Sequence, residues 1–177
     1  LTYGSLLFLL TKVKLIYFYS KMKNAILFAF STASSAATIP ITLKTVEEEL
    51  KVEKSVASFS VPLGATINMD GTAIMQGVAT IFIANAYGIN LEISDFISVI
   101  MVATLASIGT AGVPGVGLIM LAMVLNQVGL PSEGIALIIG IDRLLDMTRT
   151  AVNVTGDAAI SCVVASSEKK INYNYKE

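Results

Sequence analysis

Ionisable residues lie inside long apolar segments of this chain, and this feature limits its fold more than any other. Apolar side chains make up 54% of the 177 residues and charged ones 14%, whereas a soluble domain carries about a quarter charged residues. The six ionisable residues inside apolar segments are Asp70, Asp142, Arg143, Asp146, Arg149 and Asp157. Each costs roughly 2.5–3.5 kcal/mol at the centre of a bilayer if it faces lipid. The sequence therefore predicts an all-α membrane protein in which these residues face protein or a water-filled cavity.

The composition excludes several classes of function. A net charge of −1 without a basic tract excludes a nucleic-acid binder that neutralises phosphates. One cysteine and no histidine exclude a disulfide framework, the usual zinc sites and a Ser-His-Asp triad. We therefore expect neither an enzyme of these kinds, with catalytic residues, nor a nucleic-acid partner.

The lysines predict which connections lie on the cytoplasmic side of the membrane. Lysines occur within 12–23, 44–54 and 169–176, whereas the connections 86–95 and 129–133 have none. By the positive-inside rule, the stretches with lysines are cytoplasmic. Segment 25–43 then begins and ends on one side, and it is too short to cross twice at about 1.5 Å per residue. We expect a re-entrant hairpin that turns at 31–38; the alternative is one ordinary helix, which would place 44–54 outside.

Each half of the chain consists of a predicted hairpin followed by a long helix. The second hairpin breaks at 107–115, and it enters the membrane from the side opposite to the first. Inverted repeats of this kind place substrate and ions at the bilayer midplane in secondary transporters. We interpret the apolar run 1–10 as the cut end of a preceding helix, since a spanning helix needs about 20 residues. The predicted order is helix end 1–10, cytoplasmic connector 11–24, first re-entrant hairpin 25–43, cytoplasmic loop 44–54, interrupted helix 55–87, second re-entrant hairpin 96–130 as outer gate, last helix 134–165 and cytoplasmic tail 166–177.

Two polar patterns predict binding sites. In the last helix, a polar stripe falls within a sector of about 80° at 100° per residue; it consists of Asp142, Asp146, Arg149, Asn153 and Asp157, with Thr150 at its edge. A guanidinium can bind a carboxylate through two hydrogen bonds, so the stripe indicates a receptor for a zwitterion with an extra acid group. In the interrupted helix, the run 64–72 contains Asn68 and Asp70. Unwinding there would free carbonyls beside a carboxylate, which suits a hard cation such as Na⁺.

Three motifs together resemble the glutamate transporter family, the dicarboxylate/amino acid:cation symporters. They are Asn68-Met-Asp-Gly-Thr72, Ser107-Ile-Gly-Thr-Ala-Gly-Val-Pro-Gly115 and Asp146-Met-Thr-Arg-Thr-Ala-Val-Asn-Val-Thr-Gly-Asp157. The likeness extends from about Lys21 to Ala165. It implies the transport-domain half of a multi-pass protein of the cell (inner) membrane, with scaffold helices before it and a homotrimer. The pattern is similar to that of the prokaryotic sodium-coupled aspartate and glutamate transporters.

The resemblance also implies roles for individual residues. Asp146 would bind the substrate ammonium, and Arg149 with Thr72 its side-chain carboxylate. The remaining substrate-binding residues would be Ser34, Ser35, Gly112, Val113, Gly115, Thr150 and Asn153. One sodium would bind Gly64, Asn68, Asn153 and Asp157. A second would bind carbonyls of Thr66, Ser107, Ile108 and Thr110 once the outer hairpin closes. A third would bind Asp70 and Asn68, with ligands from an earlier helix.

Two positions depart from the family pattern and leave alternatives open. Neither Ala33 nor Met147 is the arginine that members carry at one of these positions, and Arg143 either supplies that charge or pairs with a neighbouring acid. Gln76 stands where animal members have a proton-carrying glutamate, which favours simple sodium coupling. Within the family, the alternatives are a C4-dicarboxylate or a Ser/Thr symporter. Outside it, they are an ion channel or non-transporting sensor, and an intramembrane aspartyl protease that uses Asp70 and Asp157.

Overall fold

The computed structural model describes residues 2–173, which are all-α: helices account for the regular structure, and no β-strand occurs among these residues. Leu1 and residues 174–177 of the predicted tail, with Lys176, lie outside the described residues. The α-helices are α1 (Thr2–Leu10), α2 (Leu15–Thr32), α3 (Ser35–Lys44), α4 (Lys54–Ile67), α5 (Asp70–Ala86), α6 (Ile93–Ser107), α7 (Val116–Gln127) and α8 (Asp142–Ser167). A π-helix at Thr45–Glu49 extends α3, and a 3₁₀-helix at Ser132–Leu137 precedes α8. Among the described residues, no helix has both the length and the apolar character needed to cross a membrane.

Helices α2 and α3 form a helical hairpin with a two-residue turn. Ala33 ends α2 in the left-handed conformation, with φ of 51°. Ser34 then caps α3, because its hydroxyl accepts a hydrogen bond from the backbone N–H of Ala37 at 3.2 Å. Helix α2 begins at Leu15, so ten residues assigned to the connector 11–24 from the sequence are helical. The turn itself falls within the predicted 31–38.

The long polar-interrupted segment divides into α4 and α5 at Asn68 and Met69. Neither residue has helical backbone angles, since ψ is 70° at Asn68 and 45° at Met69. The break exposes the last carbonyls of α4 and the first N–H groups of α5 near the middle of the segment. These are the groups on which the ion-binding hypothesis depends.

Helix α8 is the central element, packed against α1, α2, α4 and α5. Its C-terminal part joins one apolar core, in which Ala158 and Cys162 meet Phe18, Met22 and Val61. A second core lies between α5 and α7 and includes Ile83, Leu121 and Leu125. The polar stretch of α8 lies between the two cores. The sequence predicts one helix from Gly134, but α8 begins only at Asp142, after a turn that contains Gly140, and glycine disfavours helix by about 1 kcal/mol.

The predicted cytoplasmic loop 44–54 is anchored to the fold. Val46 and Leu50 are fully buried, and Val52 forms a β-bridge with Ile171. Lys21 of α2 forms an ion pair with Glu49 at 2.8 Å. The hydrogen bond and the charge of this ammonium lower the pKa of the Glu49 carboxyl below its usual range. The loop is therefore amphipathic, and its apolar side packs in the core that includes α2 and Ile171.

Candidate functional site

Four elements meet around a small central cavity. They are the α4–α5 break, the turn after α2, the connection 108–115 between α6 and α7, and the middle of α8. The cavity has a volume of about 20 Å³, which is room for about one water molecule and far less than an amino acid needs. Its lining includes nine of the predicted substrate- or ion-binding residues and four others: Ala33, Ser35, Met69, Thr72, Thr110, Ala111, Gly112, Val113, Gly117, Asp146, Arg149, Thr150 and Asn153.

Asp146 and Arg149 form a buried ion pair at this cavity. The Asp146 Oδ1 atom accepts hydrogen bonds from Arg149 Nε at 3.0 Å and Nη2 at 2.9 Å. Both side chains are 5% exposed. The other oxygen of Asp146 accepts a hydrogen bond from the backbone N–H of Gly115 at 2.9 Å. The carboxylate therefore connects α8 to the connection 108–115 and neutralises the guanidinium at the same time.

The third nitrogen of the Arg149 guanidinium, Nη1, is buried without a hydrogen-bond partner. It lies against Gly117 in the first turn of α7, where a Cβ atom would overlap the guanidinium. A buried charged donor without a partner is costly. The guanidinium therefore has one group available for a further acceptor on the side of the cavity, and only glycine at position 117 leaves room for it.

Asn153 joins α8 to the α4–α5 break. Its Oδ1 accepts a hydrogen bond from the backbone N–H of Gly71 at 2.8 Å, and its Nδ2 lies 3.3 Å from Thr72 Oγ1 and 3.1 Å from Met69 Sδ. Gly71 permits the close approach, because a Cβ there would lie 2.5 Å from the Arg149 carbonyl. Thr150, at the edge of the stripe, is buried in the same wall.

The two connections touch each other over the cavity. Gly112 in 108–115 accepts a hydrogen bond from the Ser34 hydroxyl at 2.8 Å and from the Ala36 N–H at 3.1 Å. Ser35 lies beside Gly112, since a Cβ on that glycine would be 3.1 Å from Ser35 Cβ. Val113 and Gly115 complete the connection. The predicted substrate-binding residues from both hairpins are thus brought together with those of α8.

Gly64, Asn68, Asn153 and Asp157 form a first oxygen cluster beside the cavity. Asn68 Nδ2 lies 3.0 Å from Asp157 Oδ1 and 3.4 Å from the Asn153 carbonyl. A Cβ at Gly64 would lie 2.6 Å from the same Asp157 oxygen. Asp157 is 2% exposed, and an isolated carboxylate is costly at such a depth. Carbonyl and carboxylate oxygens in this arrangement are ligands that a hard cation accepts.

Thr66, Ser107, Ile108 and Thr110 form a second oxygen cluster, where α4 meets the end of α6. The Thr66 carbonyl accepts a hydrogen bond from the Gly109 N–H at 3.0 Å, and the Ser107 carbonyl accepts one from the Thr110 N–H at 3.2 Å. Gly109 has φ of 82°, which strongly favours glycine. Two of the four carbonyls are therefore engaged by the backbone of the connection itself.

Asp70 differs from the other acids, because it is exposed at the start of α5. Its Oδ2 accepts a hydrogen bond from the Tyr3 hydroxyl at 2.7 Å. The Asn68 side chain, predicted to share a cation with Asp70, points its amide nitrogen at Asp157 instead. No role was predicted for Tyr3 from the sequence. The only feature that could have indicated one is its polar hydroxyl within the apolar run 1–10.

Three further polar residues were singled out from the sequence, and none of them lines the cavity. Asp142 is buried at the start of α8, and its Oδ1 has no hydrogen-bond partner among the described residues. Arg143 is exposed and is not one of the residues that line the cavity. Gln76 is fully buried, and neither atom of its amide has a partner within residues 2–173. The polar stripe thus holds for Asp142, Asp146, Arg149, Asn153 and Asp157, while Arg143 lies off it.

The chain is similar to a family of known proteins. The model of the sodium:dicarboxylate symporter family matches residues 1–167. Excitatory amino acid transporter 3 of Mus musculus is 48% identical over 149 residues, which are 84% of this chain and 28% of the mouse protein. An excitatory amino acid transporter of Caenorhabditis elegans is 46% identical over 159 residues, 84% of this chain and 32% of the worm protein. Excitatory amino acid transporter 2 of Homo sapiens is 45% identical over 151 residues, 85% and 26% respectively. The chain spans about a third or less of the length of these curated relatives.

Proposed function

This chain belongs to the sodium:dicarboxylate symporter family, and on that premise we propose that it forms the substrate- and ion-binding part of a sodium-coupled symporter for an acidic amino acid. The substrate would be aspartate or glutamate, moved by alternating access. The relatives named above are excitatory amino acid transporters. Their names and the three motifs support the same substrate class.

The buried pair of Asp146 and Arg149 is the observation on which this proposal depends most. An acidic amino acid carries one ammonium and two carboxylates, and the pair offers one carboxylate and one guanidinium at a single cavity. On binding, Asp146 takes the ammonium, and Arg149 takes the side-chain carboxylate through the nitrogen that now has no partner. The α-carboxylate is held by Asn153, Ser34, Ser35, Thr150 and backbone groups of 112–115. The ammonium and the side-chain carboxylate are thereby each met by an opposite charge.

The substrate assignment is tested by the substitution Arg149→Cys. Loss of hydrogen bonds to a charged group costs about 1.5–3 kcal/mol, which is tenfold or more in affinity. We expect aspartate and glutamate to bind at least tenfold more weakly, with neutral amino acids relatively favoured, in uptake by the protein reconstituted in liposomes. Arg143→Cys is the matched control, since it removes an exposed arginine from the same helix. Unchanged affinity for acidic substrates in Arg149→Cys would contradict the assignment.

Sodium is proposed as the co-transported ion, bound at the two oxygen clusters and near Asp70. The first cluster already brings one carboxylate and three carbonyl-bearing residues together, with Asp157 as the charge. The second lies where 108–115 contacts α4, so its carbonyls adopt their arrangement only when this connection is closed. A cation there stabilises the closed form and, by linkage, raises the affinity for substrate. Gln76 in place of an acid supports coupling to sodium without a proton.

The setting proposed for the chain is a membrane. Large apolar side chains are widely exposed; Ile16, Phe8 and Phe59 are 70% exposed or more. Many large apolar side chains exposed on one chain are what we expect of a protein that contacts lipid or other subunits. We propose that α2–α3 and α6–α7 are re-entrant hairpins of an inverted repeat in the cell (inner) membrane. By analogy with the family, the partners are scaffold helices and two further copies in a homotrimer. A C4-dicarboxylate or Ser/Thr substrate is a less favoured alternative, because neither uses both charges of the pair.

A further inference from the structure

The hydroxyl of Tyr3 contacts the one acidic residue of the site that is exposed. Tyr3 lies in α1, and its hydroxyl donates a hydrogen bond to Asp70 Oδ2 at 2.7 Å, across 67 residues of sequence. A phenol has an ordinary pKa near 10, so this group remains a proton donor under physiological conditions. It binds one of the two oxygens of Asp70, which leaves the other oxygen free for a further ligand.

Helix α8 has a glycine at the point where Tyr3 passes. A Cβ at Gly156 would overlap the Tyr3 hydroxyl, and it would also come within 2.5 Å of Asn68 Nδ2. The hydroxyl and the Asn68 amide are therefore neighbours over one gap in the surface of α8. Asp157 is next in sequence, and its carboxylate accepts a hydrogen bond from that same amide. Tyr3 thus bridges from Asp70 toward the first oxygen cluster, and Gly156 is the residue that makes room for it.

We propose that Tyr3 is a positioning residue for the cation that binds at Asp70. This inference rests on the proposed function, because it assumes that a sodium ion uses the Asp70 carboxylate. Carboxylates that ligate metals are commonly held by a hydrogen bond from an outer residue, and loss of that residue lowers metal affinity by about 10–100-fold. Tyr3 supplies such a bond. Without it, an exposed aspartate at the start of a helix can adopt several rotamers, and ordering it would oppose cation binding.

The test compares Tyr3→Phe with wild type in the intact protein reconstituted in liposomes. The substitution removes one hydroxyl and keeps the ring that packs in α1. We expect the sodium concentration for half-maximal uptake to rise about tenfold, while substrate affinity at saturating sodium stays unchanged. A residue with only a structural role would lower the amount of folded protein and leave the sodium titration unmoved. Tyr87→Phe is the control, since it removes an exposed hydroxyl at the far end of α5.

A second variant tests whether Gly156 of α8 leaves the space that the Tyr3 hydroxyl needs. Gly156→Ala displaces the Tyr3 hydroxyl, so it should also raise the half-saturating sodium concentration, and by a smaller factor when Tyr3 is already phenylalanine. Asp70→Asn separates this inference from the proposed function. If Asp70→Asn shifts the sodium titration and Tyr3→Phe does not, or lowers the half-saturating concentration, the role of Tyr3 is overturned while the cation site remains. If Asp70→Asn also leaves the titration unmoved, the cation site at Asp70 itself is wrong.

Discussion

At the scale of single residues, glycines decide where charged side chains of the site can lie. Gly64, Gly117 and Gly156 each face a polar side chain so closely that a Cβ would collide with it. None of the three has a positive φ, so backbone conformation does not require glycine there. The requirement is space for Asp157, for the Arg149 guanidinium and for the Tyr3 hydroxyl.

Gly117→Ala tests this requirement at the substrate cavity. The added methyl overlaps the Arg149 guanidinium, which is the flexible end of a side chain and can move, so we expect the protein to fold. The guanidinium is displaced, however, and we expect affinity for aspartate or glutamate to fall about tenfold, equivalent to about 1.4 kcal/mol. Binding is measured by uptake competition. Gly77→Ala is the control, because nothing lies within 4 Å of a Cβ at that helical position; an equal loss in both variants would contradict the role of Gly117.

The sequence predicts the polar stripe on α8 better than the contacts that its members make. The stripe on α8 follows from helical periodicity alone, and Asp142, Asp146, Arg149, Asn153 and Asp157 are all buried as that periodicity requires. Asp146 and Arg149 are three residues apart, a spacing at which two side chains of a helix can form an ion pair. The sequence does not show that they do so, and each residue is predicted to bind a separate group of the substrate. The contact of Tyr3 with Asp70 joins positions far apart in sequence, and no local pattern indicates it.

At the scale of elements, the connection 108–115 covers the cavity and is held there by few hydrogen bonds. Gly112 accepts two hydrogen bonds from the turn after α2, Gly115 donates one to Asp146, and Gly109 donates one to Thr66. A net protein hydrogen bond contributes about 0.5–1.5 kcal/mol. The closed connection is therefore held by few hydrogen bonds, and under the proposed function it has to move, because a cavity of about 20 Å³ does not admit an amino acid.

We expect this connection to act as a lid whose closure depends on sodium. Spin labels at Val113 and at Leu144 of α8, both exposed, should show a longer and broader distance distribution without sodium than with it. The native Cys162 is fully buried and should not react with the label. A control pair at Leu105 and Leu144 places the first label in α6 and should change less. Identical distributions for the Val113 pair with and without sodium would contradict the lid.

Helix boundaries were harder to predict than helix interruptions. The break at Asn68 coincides with residues that compete poorly for helix, as the sequence indicates. Helix α8 begins only at Asp142, after the turn that contains Gly140, and α2 begins already at Leu15. Apolar composition alone cannot distinguish a helical residue from an apolar turn, so residues 134–141 and 15–24 were assigned incompletely.

At the scale of the whole molecule, residues 170–172 and the loop 44–54 connect the first hairpin to α8. The Glu53 N–H donates to the Lys170 carbonyl at 2.8 Å, and the Asn172 N–H donates to the Lys51 carbonyl at 3.0 Å. Leu50 fills the core beneath this loop and is fully buried. The loop is therefore part of the packed structure, and its apolar side chains should matter more for stability than its many charges.

Leu50→Ala and Lys21→Gln distinguish these contributions. Removing a buried leucine costs about 2–5 kcal/mol, so Leu50→Ala should clearly lower the melting temperature of the purified protein. Lys21→Gln should lower it little, because its partner Glu49 is half exposed and the pair is screened by water. The pKa of Glu49 is lowered in the fold, so the contribution of this pair is present above about pH 4.3 and is lost as the pH falls through the lowered pKa. A larger effect of Lys21→Gln than of Leu50→Ala at pH 7 would contradict this ranking.

The ion pair between Asp146 and Arg149 has a consequence for selectivity that needs no steric exclusion. In the binding mode proposed above, Asp146 already neutralises Arg149 before substrate arrives, so a substrate must bring an ammonium for Asp146 and a carboxylate for Arg149 Nη1 if neither buried charge is to lose its partner. If the ammonium of a solute draws Asp146 away from Arg149 and the solute has no second carboxylate, the guanidinium is left buried without a partner, at a cost of about 3–5 kcal/mol. We expect such a solute to bind at least about a hundredfold more weakly than one that carries both groups. Under the proposed function we therefore expect the site to select a solute that carries both an ammonium and a second carboxylate, and to discriminate against a neutral amino acid, which has only the first of these groups.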